Sequence, residues 1–223
     1  MRAERSTESL KLTSALLACG IVAGPLYVTV GAIEMLTRAG YDIRRHALSL
    51  LSNGEWGWVN IALFVTSGLL TIAGAVGMRR VMRGSPGGTW GPLLIGVYGL
   101  GVFSAGIFTA DPALGFPPGT PVDAHSISWH GLMHFVSGAI GFLGLIAACF
   151  VFARRFAALR QTGWAAYSIG TGVIFFAAFF GIASGSQQSP ATVAFLTIAF
   201  SVAVVLAWTW VSIMAARLRR IQG

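Results

Sequence analysis

Long apolar runs separated by short polar breaks occupy most of this sequence. A helix needs about 20 apolar residues to cross the roughly 30 Å hydrocarbon core of a bilayer. Six runs reach that length, at about 13–36, 57–78, 90–110, 128–152, 164–184 and 193–215. The pattern predicts an all-α fold, a polytopic membrane helical bundle of six transmembrane helices in a single domain covering residues 1–223.

Composition agrees with a lipid environment. Apolar residues make up 55% of the chain and charged residues only 10%, whereas soluble domains are usually about 45–50% apolar. The six runs leave only short connections, so we expect no separate soluble domain. Small residues four positions apart, Gly20 with Gly24 and Ser137 with Gly141, predict close helix contacts within the bundle.

The charges are distributed unevenly between alternate connections. Twelve of the fifteen basic residues lie in the N-terminal segment, the second and fourth connections and the C-terminal tail. Cytoplasmic loops of membrane proteins carry such an excess, so we expect both termini in the cytoplasm. We therefore interpret the net charge of +8 as a topology signal. The expected partners are membrane lipids, and we expect no binding of nucleic acid. The sequence leaves the oligomeric state open.

The candidate chemistry lies on the opposite, outward side. All four histidines, His46, His125, His130 and His134, fall there. His130 and His134 are four residues apart on a predicted helix, which places their rings on one face, about 6 Å apart. Small residues continue that stripe, so we expect both rings to face the bundle.

These histidines suggest a metal site. Two histidines with a third histidine or a carboxylate form the ligand set of catalytic zinc, which keeps one position open for water. In this hypothesis His46, His130 and His134 bind zinc, Asp111 orients or deprotonates the water, and Ser49 supports the site. The protein would then be a membrane-embedded hydrolase of lipid-like amides or esters.

Other interpretations remain open. The same residues can hydrogen-bond to one another and to the backbone, fixing the loops on the bundle. The protein would then be a lipid-binding, scaffolding or envelope-stress protein without metal. Haem binding needs histidines from opposing helices, and only the fourth run clearly carries any. A channel or transporter ranks third, because charges are rare in the middle of the second to sixth runs.

Several segments resemble a known family. They are residues 46–52 (His-Ala-Leu-Ser-Leu-Leu-Ser), 57–60 (Gly-Trp-Val-Asn), 106–119, and His130 with His134. Together they resemble the prokaryotic membrane family called domain of unknown function 998, over almost the whole chain. The resemblance implies six spans but no established activity. We expect a multi-pass protein of the bacterial inner (plasma) membrane.

A looser similarity is to the hydrolase superfamily of alkaline ceramidases and adiponectin-type receptors. Those proteins combine Ser-x-x-x-His, an Asp and His-x-x-x-His around zinc. Here His130 and His134 match the last element and Asp111 supplies an aspartate, whereas His46 precedes Ser49 and there is one fewer span. The similarity implies the same zinc-dependent chemistry.

Overall fold

A computed structural model describes residues 2–123, 126–184 and 189–222. Six long helices account for most of them: α1 (Arg2–Thr37), α2 (Gly57–Val81), α3 (Trp90–Ile107), α4 (Trp129–Ala158), α5 (Thr162–Ala183) and α6 (Pro190–Gln222). Each is long and apolar enough to cross a membrane. The predicted all-α fold with six spanning helices is therefore confirmed.

The helices form a closed ring in chain order. Each helix packs against its neighbours in the chain, and α6 returns to pack against α1. Because consecutive helices are antiparallel, α1 begins and α6 ends at the same end of the ring. We call this the basic end, since Arg79, Arg155 and Arg217 lie near it. The opposite end, where α4 begins, is called the histidine end.

Glycines allow the helix backbones to approach closely. A Cβ added to Gly74 of α2 would lie 2.6 Å from the Cα of Gly20 on α1. A Cβ on Gly101 of α3 would lie 2.7 Å from the Cα of Gly141 on α4. Any larger side chain would force these helices apart. The close contacts predicted from the small residues of the first and fourth runs are thus confirmed as contacts within one bundle.

The two halves of the ring are filled differently. At the basic end, Trp208 and Trp210 of α6 are fully buried, and Trp210 Nε1 donates to Ser168 Oγ on α5 over 3.0 Å. Phe152 of α4 packs edge-on against Trp210. Large side chains thus close the basic half, whereas the histidine half contains a cavity.

Two loops cover the histidine end. We call residues 38–56 and 108–123 the cap; its first loop contains a short 3₁₀ helix, Leu48–Ser52. Phe116 of the second loop is only 1% exposed and forms a small core with Leu50, Leu51 and Ala110. The cap is therefore packed onto the bundle as a structured element.

The helix ends differ from those predicted. At the basic end α4 and α6 continue to Ala158 and Gln222, because arginines carry their charge to the interface and need not end a helix. At the histidine end α3 stops at Ile107, since Phe108 adopts an extended conformation. The residues that follow are used in the cap.

A cavity beneath the cap as the candidate functional site

A cavity of about 300 Å³ lies in the histidine half of the ring, directly beneath the cap. All six helices and the first loop of the cap contribute to its wall. The lining is mostly hydrophobic, with polar atoms from Tyr27, Ser49, Tyr98, His134 and Ser201. Its volume lies at the lower end of the usual range of small-molecule sites, about 300–1,000 Å³.

Aromatic rings form the deep end and one side of the cavity. At the deep end Tyr27 stacks on Phe64, with 5.6 Å between ring centroids, and on the buried Trp208, at 4.5 Å. At the side Phe142 of α4 contacts Phe179 of α5 and Phe200 of α6, each nearly edge-on. This part of the cavity suits hydrocarbon, because it offers dispersion contacts and few hydrogen bonds.

His134 supplies the most reactive polar group of the lining. Its Nδ1 lies 2.9 Å from the carbonyl oxygen of Phe108 and 3.1 Å from that of Ala105. These oxygens at the end of α3 can only accept, so Nδ1 must carry the proton and donate. Nε2, on the opposite edge of the ring, then holds a lone pair. It has no hydrogen-bond partner among the residues that the structure describes, and it is available to a donor in the cavity.

Ser49 lines the same cavity from the cap. It is partly buried, and the structure shows no hydrogen bond between it and His134, although both residues are described. The sequence therefore identified two groups that share a cavity, but not a hydrogen-bonded nucleophile and base.

His46 instead has a structural role in the cap. Its Nδ1 accepts from the backbone N–H of Asp42 (2.9 Å), and Nε2 therefore carries the proton and donates to the carbonyl oxygen of Leu114 (3.0 Å). Tyr41 donates from its hydroxyl to the His46 carbonyl over 2.7 Å. Burial, and more weakly the nearby Asp42 carboxylate, raises the pKa of Tyr41, so this donor stays protonated. With both ring nitrogens engaged, His46 has no lone pair left for a metal.

Asp111 is a capping residue of α4 in this structure. Its Oδ2 accepts from the Ser128 N–H (2.8 Å) and its Oδ1 from the Ser128 hydroxyl (2.6 Å). Ser128 Oγ in turn accepts from the Gly131 N–H (3.0 Å), as expected of an N-cap serine. A carboxylate is stabilised there by the helix dipole. Asp111 does not line the cavity.

His130 lies apart from the cavity. It occupies the first turn of α4, is exposed, and its ring lies beside that of Trp129, with 3.8 Å between centroids. The expectation that both histidines of α4 face the bundle is therefore wrong for His130 and right for His134, which is 7% exposed. His125 lies outside the described residues.

The zinc hypothesis gains no support from this geometry. Within residues 2–123, 126–184 and 189–222, no three His, Cys, Asp or Glu side chains are grouped closely enough to hold a metal. The three histidines have different roles. The ring of His46 makes hydrogen bonds within the cap, the ring of His130 is exposed, and His134 lines the cavity. Zinc bound by these three histidines, with Asp111 and Ser49 in catalytic roles, stays a prediction without structural support.

A polar network that was not predicted from the sequence fixes the first loop of the cap. Arg38 forms an ion pair with the buried Glu34 (3.4 Å) and donates to the carbonyls of Leu51 and Asn53. Asn53 Nδ2 then donates to the carbonyl of Ala110 in the second loop over 3.0 Å. The spacing of Glu34 and Arg38, four residues apart at a helix end, was the available signal.

The fold and the cavity define a class: a multi-pass helical membrane protein with a largely apolar internal cavity. A family model described as "Protein of unknown function (DUF998)" matches residues 21–217, and the chain belongs to this family. No curated protein and no solved structure is significantly similar to it. The similarity to alkaline ceramidases is thus not supported by the comparisons.

Proposed function

We propose that this protein binds a lipid-like molecule in the cavity. One apolar chain of the ligand would lie against the aromatic residues, and a hydroxyl or amide group at its polar end would donate a hydrogen bond to His134 Nε2. The observation that carries the proposal is the Nε2 of the buried His134, which has no partner among the described residues and lies in a largely apolar cavity.

The wall of the cavity reaches the surface that faces lipid. Phe135 of α4 and Val205 of α6 line the cavity and are also 58% and 44% exposed on the bundle exterior. A hydrophobic ligand could therefore exchange with the surrounding membrane between helices. Passage through the cap would be harder, because its hydrogen bonds and the Phe116 core would have to break.

Binding, without catalysis, is the function that the residues favour. A hydrolase needs an activated nucleophile or a metal-bound water next to the scissile bond. His134 has neither beside it, since Ser49 is not hydrogen-bonded to it and Asp111 serves as a cap. A carboxylate that orients the ring, as in catalytic triads, is replaced here by the carbonyls of Phe108 and Ala105.

The distribution of charges supports a proposal for the orientation of the protein. We propose that the basic end faces the cytoplasm of a bacterial inner membrane and that the cap faces outward. The exposed Trp56, Trp58 and Trp129 then lie at the outer interface, where tryptophan is enriched. The ligand would be bound in the outer half of the bilayer.

Filling the cavity tests the proposal. Gly138 of α4 lines the cavity and a Cβ there would meet nothing within 4 Å, so Gly138→Leu should fold and occupy the binding space. Gly170 of α5 also has open space around its Cβ but does not line the cavity, which makes Gly170→Leu the matched control. The probe is a monoacylglycerol with a fluorescent polyene chain, titrated into purified protein.

We expect Gly138→Leu to weaken binding at least tenfold and Gly170→Leu to leave it unchanged. His134→Asn keeps a donor for the two carbonyls, but its acceptor, Oδ1, sits on a shorter side chain and does not reach the position of Nε2. This variant should lose more affinity for the monoacylglycerol than for the methyl ester of the same acyl chain, because the methyl ester has no hydrogen-bond donor. Equal binding to wild type and Gly138→Leu would refute the cavity as the site, and hydrolysis of the probe by wild type would refute a purely binding role.

A further inference from the structure

A second site lies at the basic end, and it is independent of the proposed function. A small cleft of about 40 Å³ opens between α4 and α6, beside the connection to α5. Its polar lining consists of Arg155, Gln161 and Arg217, and its apolar lining includes Phe152, Phe156 and Leu218. Two guanidinium groups thus border one cleft of about the size of a single small ionic group.

Arg217 is held rigidly in place. Its guanidinium carbon lies 3.9 Å from the centroid of the Trp164 ring and 5.4 Å from that of Phe156. One nitrogen, Nη2, donates to Gln161 Oε1 over 3.0 Å. Nε is shielded from solvent and has no hydrogen-bond partner among the described residues. A buried donor without an acceptor is costly, so an acceptor supplied from outside would stabilise this arrangement.

Arg155 is fixed from the other side. Its Nη1 donates to Ser85 Oγ (2.7 Å) and to the carbonyl oxygen of Pro86 (2.8 Å) in the connection between α2 and α3. Both acceptors are neutral, so the positive charge of Arg155 is not compensated. Arg155 lines the cleft, and these two bonds hold its guanidinium in place before any ligand arrives, which lowers the entropic cost of binding.

Among the side chains that the structure describes, no carboxylate pairs with these two arginines. The two ion pairs among the described side chains, Glu34 with Arg38 and Asp42 with Arg44, both lie at the histidine end. Like charges that share a cleft repel each other, and an anion between them would remove that repulsion.

The position of the cleft along the bundle indicates which kind of anion it would bind. The cleft lies where α4 ends and α6 approaches its end, at the level of lipid headgroups, and its lining includes the exposed side chains of Leu159 and Ile221. Basic pockets between membrane helices at this level bind the headgroups of acidic lipids, and the fork of arginine matches phosphate oxygens. We propose that Arg155 and Arg217 bind the phosphate of an anionic phospholipid of the leaflet at the basic end.

Lipid titration of delipidated protein, followed by native mass spectrometry, tests this assignment. We expect phosphatidylglycerol to bind wild type at least tenfold more tightly than phosphatidylcholine, and Arg217→Gln or Arg155→Gln to remove that preference. Arg219→Gln is the matched control: it lies two residues further on α6, removes the same charge, and its guanidinium donates to Ser14 Oγ of α1, away from the cleft. It should retain the preference.

Two further outcomes would overturn the proposal. If Arg219→Gln weakens binding as much as Arg217→Gln, the effect is one of net charge and not of a site. If inorganic phosphate at low millimolar concentration displaces the lipid, the ligand is a free anion.

Arg217→Lys keeps the charge but loses the stacked planar group. We expect this variant to bind phosphatidylglycerol at least threefold more weakly, and wild-type affinity would contradict a role for the guanidinium. Unfolding in detergent establishes that each variant is folded.

Discussion

The role of Asp111 can be decided by a double-mutant cycle with Ser128. Its carboxylate accepts two hydrogen bonds, from the N–H and the hydroxyl of Ser128. Hydrogen bonds to a charged group contribute about 1.5–3 kcal/mol each, and the lower value applies here because Ser128 is exposed. Asp111→Ala should therefore lower the free energy of unfolding by about 3 kcal/mol, and the isosteric Asp111→Asn by about half as much.

Ser128→Ala removes the N-cap of α4 and one of the two bonds, which should cost about 1–2 kcal/mol. Because both variants remove the bond between the Ser128 hydroxyl and Asp111 Oδ1, the double variant should be about 1.5 kcal/mol more stable than the sum of the single changes indicates. The measurement is reversible unfolding in mixed detergent micelles, followed by tryptophan fluorescence. Additive effects, or an Asp111→Asn variant as stable as wild type, would refute the capping role and return Asp111 to the candidate catalytic residues.

Three further predictions concern packing, charge and orientation. Gly101→Val should lower the free energy of unfolding by about 2 kcal/mol or more, because its Cβ would overlap α4, while Gly170→Val should cost less than half as much. Side-chain and backbone hydrogen bonds from Arg44 lower the pKa of Asp42 to about 2; the stabilisation is present above the ordinary aspartate pKa and is lost as the pH falls toward 2. Arg44→Gln should raise this pKa toward its usual value, as an NMR titration would show. Glu55 is exposed in the first loop of the cap, so Glu55→Cys should react with a membrane-impermeant thiol reagent added to intact cells. Protection there, with reaction only in inverted vesicles, would reverse the proposed orientation.

The fold was predictable because one physical threshold decides it. A run of about 20 apolar residues has few stable alternatives to a spanning helix, since lipid cannot satisfy an irregular backbone. The exact helix ends were not predictable. The helix α3 ends at Ile107, and the residues after it, among them Phe108 and Asp111, accept hydrogen bonds from α4 and from its N-cap Ser128. Those partners lie at least 17 residues further along the chain.

The site was predictable only in part. Helical periodicity correctly placed His134 toward the interior, but it failed for His130, which lies in the first turn of α4 and is exposed. Phe142 and Ile146 lie outside the stripe of small residues that continues from His134, yet Phe142 lines the cavity and Ile146 is 6% exposed. A helix in a ring touches two neighbours and the centre, so more than one stripe of its surface is covered.

The cap could not be inferred from local patterns. The ring of His46 bonds to a backbone oxygen 68 residues away, at Leu114, and no spacing rule connects them. The sequence did predict one alternative, in which these polar residues make hydrogen bonds that fix the loops on the bundle. The observed roles of His46 and Asp111 agree with that alternative.

The order of the helices around the ring has a consequence for biosynthesis. A chain inserted into the membrane helix by helix could form the contacts of α1 to α5 as each span emerges, since every new neighbour is the preceding helix. The contact of α6 with α1 is different: it joins Gly24 to the backbone of Trp208 and Gly20 to Ala215, and it must wait for the last span. Until then the future cavity lacks one wall, so the ligand space comes into existence only with the final step of assembly.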